Sequence, residues 1–187
     1  MGACGCGNFG FAETCVWGIT MKKNNIILIG MPACGKTTLG TELSEKIGYG
    51  YIDSDSVIIA RAGKRLSQII QEVGTEGFLD FEAKVNSEIC ADRCIIATGG
   101  SVIYRESTME KFKTLGTIVY LRHTYEVIAS RLWDLEKRGV AIKDGYTLKD
   151  LYDERTPLYE KYADVIVDVG VCSVEEAVEK IAEALDK

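Results

Sequence analysis

From Asn25 onward, short apolar runs alternate with longer stretches of mixed polarity. Ile26-Ile27-Leu28-Ile29 is continuous in apolar residues and stops at Gly30, as a strand buried on both faces does. Runs of strand length recur at Tyr51-Ile52, Cys94 to Ala97, Ile118 to Leu121 and Val165 to Val167. Between them, Thr38 to Ile47, Glu76 to Ile89, Tyr125 to Glu136 and Ser173 to Leu185 show helical spacing, and Ser173 followed by Glu176 makes a capping box for the last. The alternation predicts an α/β fold: a five-stranded parallel sheet flanked by helices in three layers. Ligands in such sheets gather at the carboxyl ends of the strands.

Composition narrows the class. The 187 residues are 47% hydrophobic and 27% charged, a globular mixture that suits one domain. A net charge of -6 repels a phosphate backbone, so no nucleic-acid partner is expected. No window approaches the ~18 apolar residues of a membrane span, and no membrane partner is expected either. Seven cysteines, an odd number without a Cys-x-x-Cys spacing, and a single histidine argue against a disulfide framework or a zinc site. Reduced thiols and a cytoplasmic, monomeric protein are the expectation. Residues 1–20, with five glycines, three cysteines and no lysine or arginine, read as a flexible N-terminal extension before a single domain over 21–187.

The strongest chemical signal is Gly30-Met31-Pro32-Ala33-Cys34-Gly35-Lys36-Thr37, a G-x-x-x-x-G-K-T loop set between the first strand and the first helix. Its backbone N–H groups and the helix start suit phosphate oxygens. Gly30, Ala33, Cys34, Gly35, Lys36, Thr37 and Thr38 are therefore assigned to ATP, with Lys36 reaching the β- and γ-phosphates and Thr37 placing its hydroxyl on Mg²⁺. No D-x-x-G or N-K-x-D occurs, which disfavours a GTPase, and the chain is short for a motor or transporter ATPase. A small-molecule kinase remains. Asp53 and Asp55 follow the second strand beside this loop: Asp53 is a candidate for Mg²⁺ and Asp55 a candidate to accept the proton of an attacking hydroxyl. Thr98-Gly99-Gly100-Ser101 after the third strand permits close approach of a ligand, and a mobile segment carrying Arg138, within 138–149, is suited to close over the phosphates.

These motifs in order, together with Gly74-x-Glu76-Gly77-Phe78-x-x-x-Glu82, Arg131 seven residues before Arg138, and Arg155-x-Pro157-Leu158-Tyr159, make the chain from Asn25 resemble the shikimate kinases. The resemblance implies ATP with Mg²⁺, phosphoryl transfer to a ring hydroxyl of shikimate, a catalytic set of Lys36, Asp55 and Arg138, and a lid bearing Arg138. It also implies that Arg131 stacks on adenine, that the loop from Asp168 to Ser173 borders the base, and that Gly99, Gly100 and Arg155 bind the acceptor, with Arg155 on its carboxylate.

Four positions depart from the family pattern. Leu79 stands where an arginine would share the carboxylate with Arg155, Ser101 replaces the third glycine of its motif, Ala33 replaces a glycine of the phosphate loop, and Gly139 replaces a proline of the lid. Removing one cation from a buried ion cluster costs about 2–5 kcal/mol. The departures fall mainly on the acceptor side, so a related kinase with a different hydroxylated acceptor stands beside shikimate kinase. Lys84, Arg61 or Arg65 is the alternative source of a second cation. A nucleotide-binding module without turnover is a reading of another class, and a nucleoside or nucleotide kinase ranks below all of these.

Overall fold

The computed structural model describes residues 24–132 and 145–186. Residues 1–20 and Arg138, with the greater part of the expected lid, lie outside them.

Five strands, β1 (Asn25–Ile29), β2 (Gly50–Asp53), β3 (Cys94–Ala97), β4 (Gly116–Arg122) and β5 (Val165–Asp168), form one parallel sheet in the order β2-β3-β1-β4-β5. The register pairs Ile27 with Ile96 on one side and with Ile118 on the other, so the most apolar run occupies the centre. Every residue of β1 is buried, which is why its sequence lacks the alternation of a half-exposed strand.

Asn25 is the polar exception in that strand. Its side chain donates to the carbonyls of Ala91 and Leu115 and accepts from the N–H of Cys94. One buried amide thereby ties the starts of β1, β3 and β4, satisfying groups that burial would otherwise leave unpaired.

Seven helices surround the sheet among the described residues: α1 (Lys36–Ile47), α2 (Ser54–Ala62), α3 (Leu66–Ser87), α4 (Glu106–Leu115), α5 (Tyr125–Arg131), α6 (Leu148–Tyr162) and α7 (Val174–Leu185). Helix α1 packs over β1, β2 and β3 and against α7, while α4 and α6 pack on β4. The predicted cap of α7 is present, with Ser173 accepting from the Glu176 N–H and Glu176 accepting from that of Ser173.

Three helices were absent from the pattern reading. Helix α2 is short, and Asp53, the candidate metal ligand, is also its N-cap, as aspartates after a strand often are, accepting from the Ser56 N–H at 2.9 Å. Helix α4 places Met109, Phe112 and Leu115 inward but is otherwise polar, and α6 is rich in charge and contains Pro157. Helix α3 begins ten residues before the expected Glu76, because Gly74 (φ 73°, ψ 173°) interrupts it and hides its first half from a periodicity test.

Two apolar clusters divide the interior. The larger joins the sheet to α1, α4, α6 and α7, and the smaller consists of Ile58, Ile69, Phe78, Leu79 and Val85 between α2 and α3. The second cluster holds α2 and α3 as a flank beside the carboxyl ends of β2 and β3, and so forms a wall of the site.

Candidate active site

A cavity of about 710 Å³ opens at the carboxyl ends of the strands. Ala33, Gly35, Lys36, Thr37 and Thr38 line one end, Gly99, Gly100, Ser101, Phe78 and Arg155 line another part, and Asp53 and Asp55 are also in the lining.

The phosphate loop is shaped by three unusual backbone angles. Gly30 has φ 146°, Gly35 at the start of α1 has φ 96°, and Ala33 has φ 62°. The last is a left-handed conformation that costs alanine about 1 kcal/mol relative to glycine, so the replacement of the usual glycine is tolerated at the price of local strain. Lys36 folds back over the loop, its Nζ donating to the carbonyls of Gly30 at 2.8 Å and Met31 at 3.0 Å. At 8% exposure the ammonium is largely withdrawn from water and satisfied by these carbonyls. Gly30 and Cys34 shape the loop without lining the cavity; the Cys34 thiol is buried, 3.5 Å from Lys36 Nζ.

Thr37 and Asp53, sixteen residues apart, meet across the cavity, with Thr37 Oγ1 donating to Asp53 Oδ2 at 3.2 Å. Hydroxyl and carboxylate oxygens are the donors that Mg²⁺ prefers, and that ion keeps much of its water and needs few protein ligands. No group of three or more His, Cys, Asp and Glu side chains capable of holding a metal occurs among the described residues.

Asp55 lies in the first turn of α2 beside this pair. Burial pushes its carboxyl up, the Lys36 ammonium pulls it down and the Asp53 charge raises it. Gly99 and Gly100 are fixed by space: a Cβ at Gly99 would stand 2.5 Å from Glu82 Oε1 and 2.8 Å from Asp55 Oδ1, and one at Gly100 2.9 Å from Pro32 Cδ and 3.0 Å from Arg155 Nη1. Only glycine brings the chain that close to these groups.

Arg155 is 1% exposed, its Nε donating to the Tyr104 hydroxyl at 3.1 Å and its guanidinium lying over the Tyr104 ring. Tyr159, one turn later on α6, donates to the Gly100 carbonyl at 2.6 Å, so the helix that carries the guanidinium also fixes the glycine turn. Arg131 is exposed at the end of α5, on the rim of the cavity, with Nη1 3.4 Å from the Ala33 carbonyl.

Two expected site residues are not in the described lining of this cavity. Leu79 does not line the main cavity; it is 4% exposed and faces an adjoining cavity of about 150 Å³ with Tyr104, Tyr146 and Leu151. Phe78, its neighbour on α3, lines the main cavity instead, because successive helical residues point about 100° apart. Asp168 is held by Arg122 through two hydrogen bonds of 2.6 and 2.7 Å and is absent from the cavity lining. Its carboxyl is held below the usual range by those bonds, an ion pair that joins β4 to β5.

Other members of the site were given no role from the sequence, although Glu82 and Ser101 stand within motifs quoted above. Glu82 and Ser101 hydrogen-bond behind the glycine turn at 3.0 Å. His123, the single histidine, is buried at the end of β4 with Nε2 donating to the Cys34 carbonyl at 3.0 Å, and so props the phosphate loop. Tyr104 was equally invisible, since nothing in its local sequence says that it meets Arg155.

A G-x-x-x-x-G-K-T loop between strand and helix, beside a hydroxyl-carboxylate pair and a cavity at the carboxyl ends of a 2-3-1-4-5 parallel sheet, makes this a P-loop kinase fold. The sequence model of the family described as shikimate kinase matches residues 32–186. A shikimate kinase of Thermodesulfovibrio yellowstonii is 35% identical over 166 residues, covering 87% of this chain and 95% of the relative. One from Francisella tularensis subsp. holarctica is 36% identical, covering 87% and 94%. Among solved structures, shikimate kinase from Acinetobacter baumannii in complex with shikimate superposes with a TM-score of 0.80 at 28% identity, covering 88% of this chain and 94% of that one. Shikimate kinase from Aquifex aeolicus gives 0.73 at 31%, covering 87% and 96%. The chain belongs to the shikimate kinase family and is a small-molecule kinase that uses ATP.

Proposed function

We propose that this kinase transfers the γ-phosphoryl group of ATP to a ring hydroxyl of shikimate, with Mg²⁺ held by Thr37 and Asp53. The observation that carries the reading is the single cavity in which the phosphate loop, Asp55, the Gly99-Gly100 turn and Arg155 all take part. Relatives named shikimate kinase, and a neighbour solved with shikimate bound, support the choice of acceptor.

In this reading the Gly35 to Thr38 backbone and the start of α1 receive the phosphates. Lys36 exchanges the Gly30 and Met31 carbonyls for phosphate oxygens, so its charge is delivered where negative charge accumulates. Bound Mg²⁺ supplies charge neutralisation of the phosphates. Asp55 accepts a hydrogen bond from the acceptor hydroxyl and takes its proton as the O–P bond forms. Arg155 pairs with the acceptor carboxylate, oriented beforehand by Tyr104. Arg131 meets the base at the rim; Arg138, the third residue of the expected catalytic set, lies outside the described residues.

One observation favours a second reading, a different hydroxylated acceptor. Arg155 is the only arginine in the described lining near the Gly100 turn, and Leu79 adds no charge to it.

ADP release with Mg-ATP and shikimate, beside an ATP-only control, tests both on wild type, Leu79→Arg and a Leu79→Met control. Turnover by wild type well above the control is expected. An inert wild type with an active Leu79→Arg would overturn shikimate as acceptor and direct the search to hydroxylated metabolites without the carboxylate. ADP release unaffected by Lys36→Ala would point instead to a nucleotide-binding module without turnover.

A further inference from the structure

Glu82 is a buried carboxyl that the phosphoryl transfer does not use. It lies on α3 one turn after Leu79, is 2% exposed, and accepts the Ser101 hydroxyl at 3.0 Å. Only Gly99 separates it from Asp55, since a methyl group on that glycine would touch Glu82 Oε1 at 2.5 Å and Asp55 Oδ1 at 2.8 Å. Two carboxyls thus press on one residue of the cavity floor.

The charges acting on Glu82 come from three other elements. Asp55 on α2 opposes its ionisation, while Arg155 on α6 and Arg105 at the start of α4 favour it. Arg105 is already bound by Glu76 and Asp80 of α3, and Arg155 lies against Tyr104. Burial is the largest influence and outweighs the Ser101 hydrogen bond, so the Glu82 carboxyl is pushed up to about 7.

An acceptor bearing a carboxylate brings a third negative group to a floor where Asp55 and Glu82 already lie together. Like charges in a poorly solvated site are not all ionised at once. We propose that Glu82 is a positioning residue that sets the charge of this floor: with its proton in place the site admits a carboxylate-bearing acceptor, and with the proton lost it repels one. The inference rests on the acceptor reading above. Protonated Glu82 donates to Ser101 Oγ and leaves the Ser101 hydroxyl free to donate to the acceptor; ionised Glu82 captures that hydroxyl. The proton released on ionisation passes to solvent.

The test is the KM for shikimate and the KM for ATP from pH 6 to 9, on wild type and on Glu82→Gln, whose amide is neutral throughout. In wild type the shikimate KM should rise above pH 7, approaching tenfold per pH unit, while the KM for ATP holds. Glu82→Gln should keep its low-pH shikimate KM across the range. Parallel profiles in the two proteins overturn the proposal. A carbon-13 titration of glutamate carboxyls in acceptor-free wild type needs no variant to fold: one resonance with a midpoint near 7 is expected, and the absence of any midpoint above about 5.5 overturns the proposal. If shikimate gives no turnover at any pH, the acceptor reading fails, and the carboxyl titration still decides the charge of Glu82.

Discussion

Lys36, Gly99 and His123 each act through close contacts at the site, and each residue carries a prediction. Replacing Lys36 by alanine removes a charge aimed at the transferring group, and kcat should fall about a hundredfold to a thousandfold, measured by ADP release with saturating acceptor. Gly99→Ala drives a methyl group into both carboxyls, so the shikimate KM should rise sharply while ATP affinity, followed by calorimetry, changes little. At His123, burial and then the neighbouring Arg131 and Lys36 charges hold the imidazole below its ordinary pKa, against the opposing pull of the Cys34 carbonyl. The unfolded chain therefore takes up this proton first as pH falls through about 6.5. Wild type should lose melting temperature relative to His123→Asn between pH 7 and 5, and equal slopes for the two proteins would reject that assignment.

At the scale of elements, the strands depend on one polar anchor and the last helix on its cap. Asn25→Ala leaves the Ala91 and Leu115 carbonyls and the Cys94 N–H without their side-chain partner. That should cost about 2–5 kcal/mol, visible as a lower denaturation midpoint at constant slope. Ser173→Ala removes one hydrogen bond at an exposed helix start and should cost about 1 kcal/mol. The contrast between the two is burial: water replaces the lost partner at Ser173 but cannot reach the groups around Asn25.

For the molecule as a whole, nucleotide binding and folding are coupled because the phosphate loop bridges the central strand and α1. Nucleotide at a hundred times its dissociation constant should stabilise the protein by about 2.7 kcal/mol, and a scan with and without Mg-ATP at that excess reads the shift. The described residues complete a five-stranded sheet with helices packed on it, and we expect light scattering to return the mass of one chain, 20.6 kDa.

The apolar runs were enough to predict the five strands, and the central one is buried along its whole length while β2 and β5 at the edges are partly exposed; the equally apolar Val57-Ile58-Ile59-Ala60 folds instead as part of α2. The phosphate loop was equally legible, since its glycines, lysine and threonine act within one local turn. Helices α4 and α6 were hidden because their surfaces are polar and their apolar positions few, and α2 because it is short and its apolar residues run consecutively rather than at helical spacing, so that packing stabilises all three more than any periodic signal reveals. Tertiary structure alone decided that Leu79 belongs to a second cavity, that Asp168 is bound by Arg122, and that Glu82 and His123 stand behind the site. Each of those facts is a meeting of side chains from distant parts of the chain, and the physical environment that gives them their chemistry comes into being only when the elements pack.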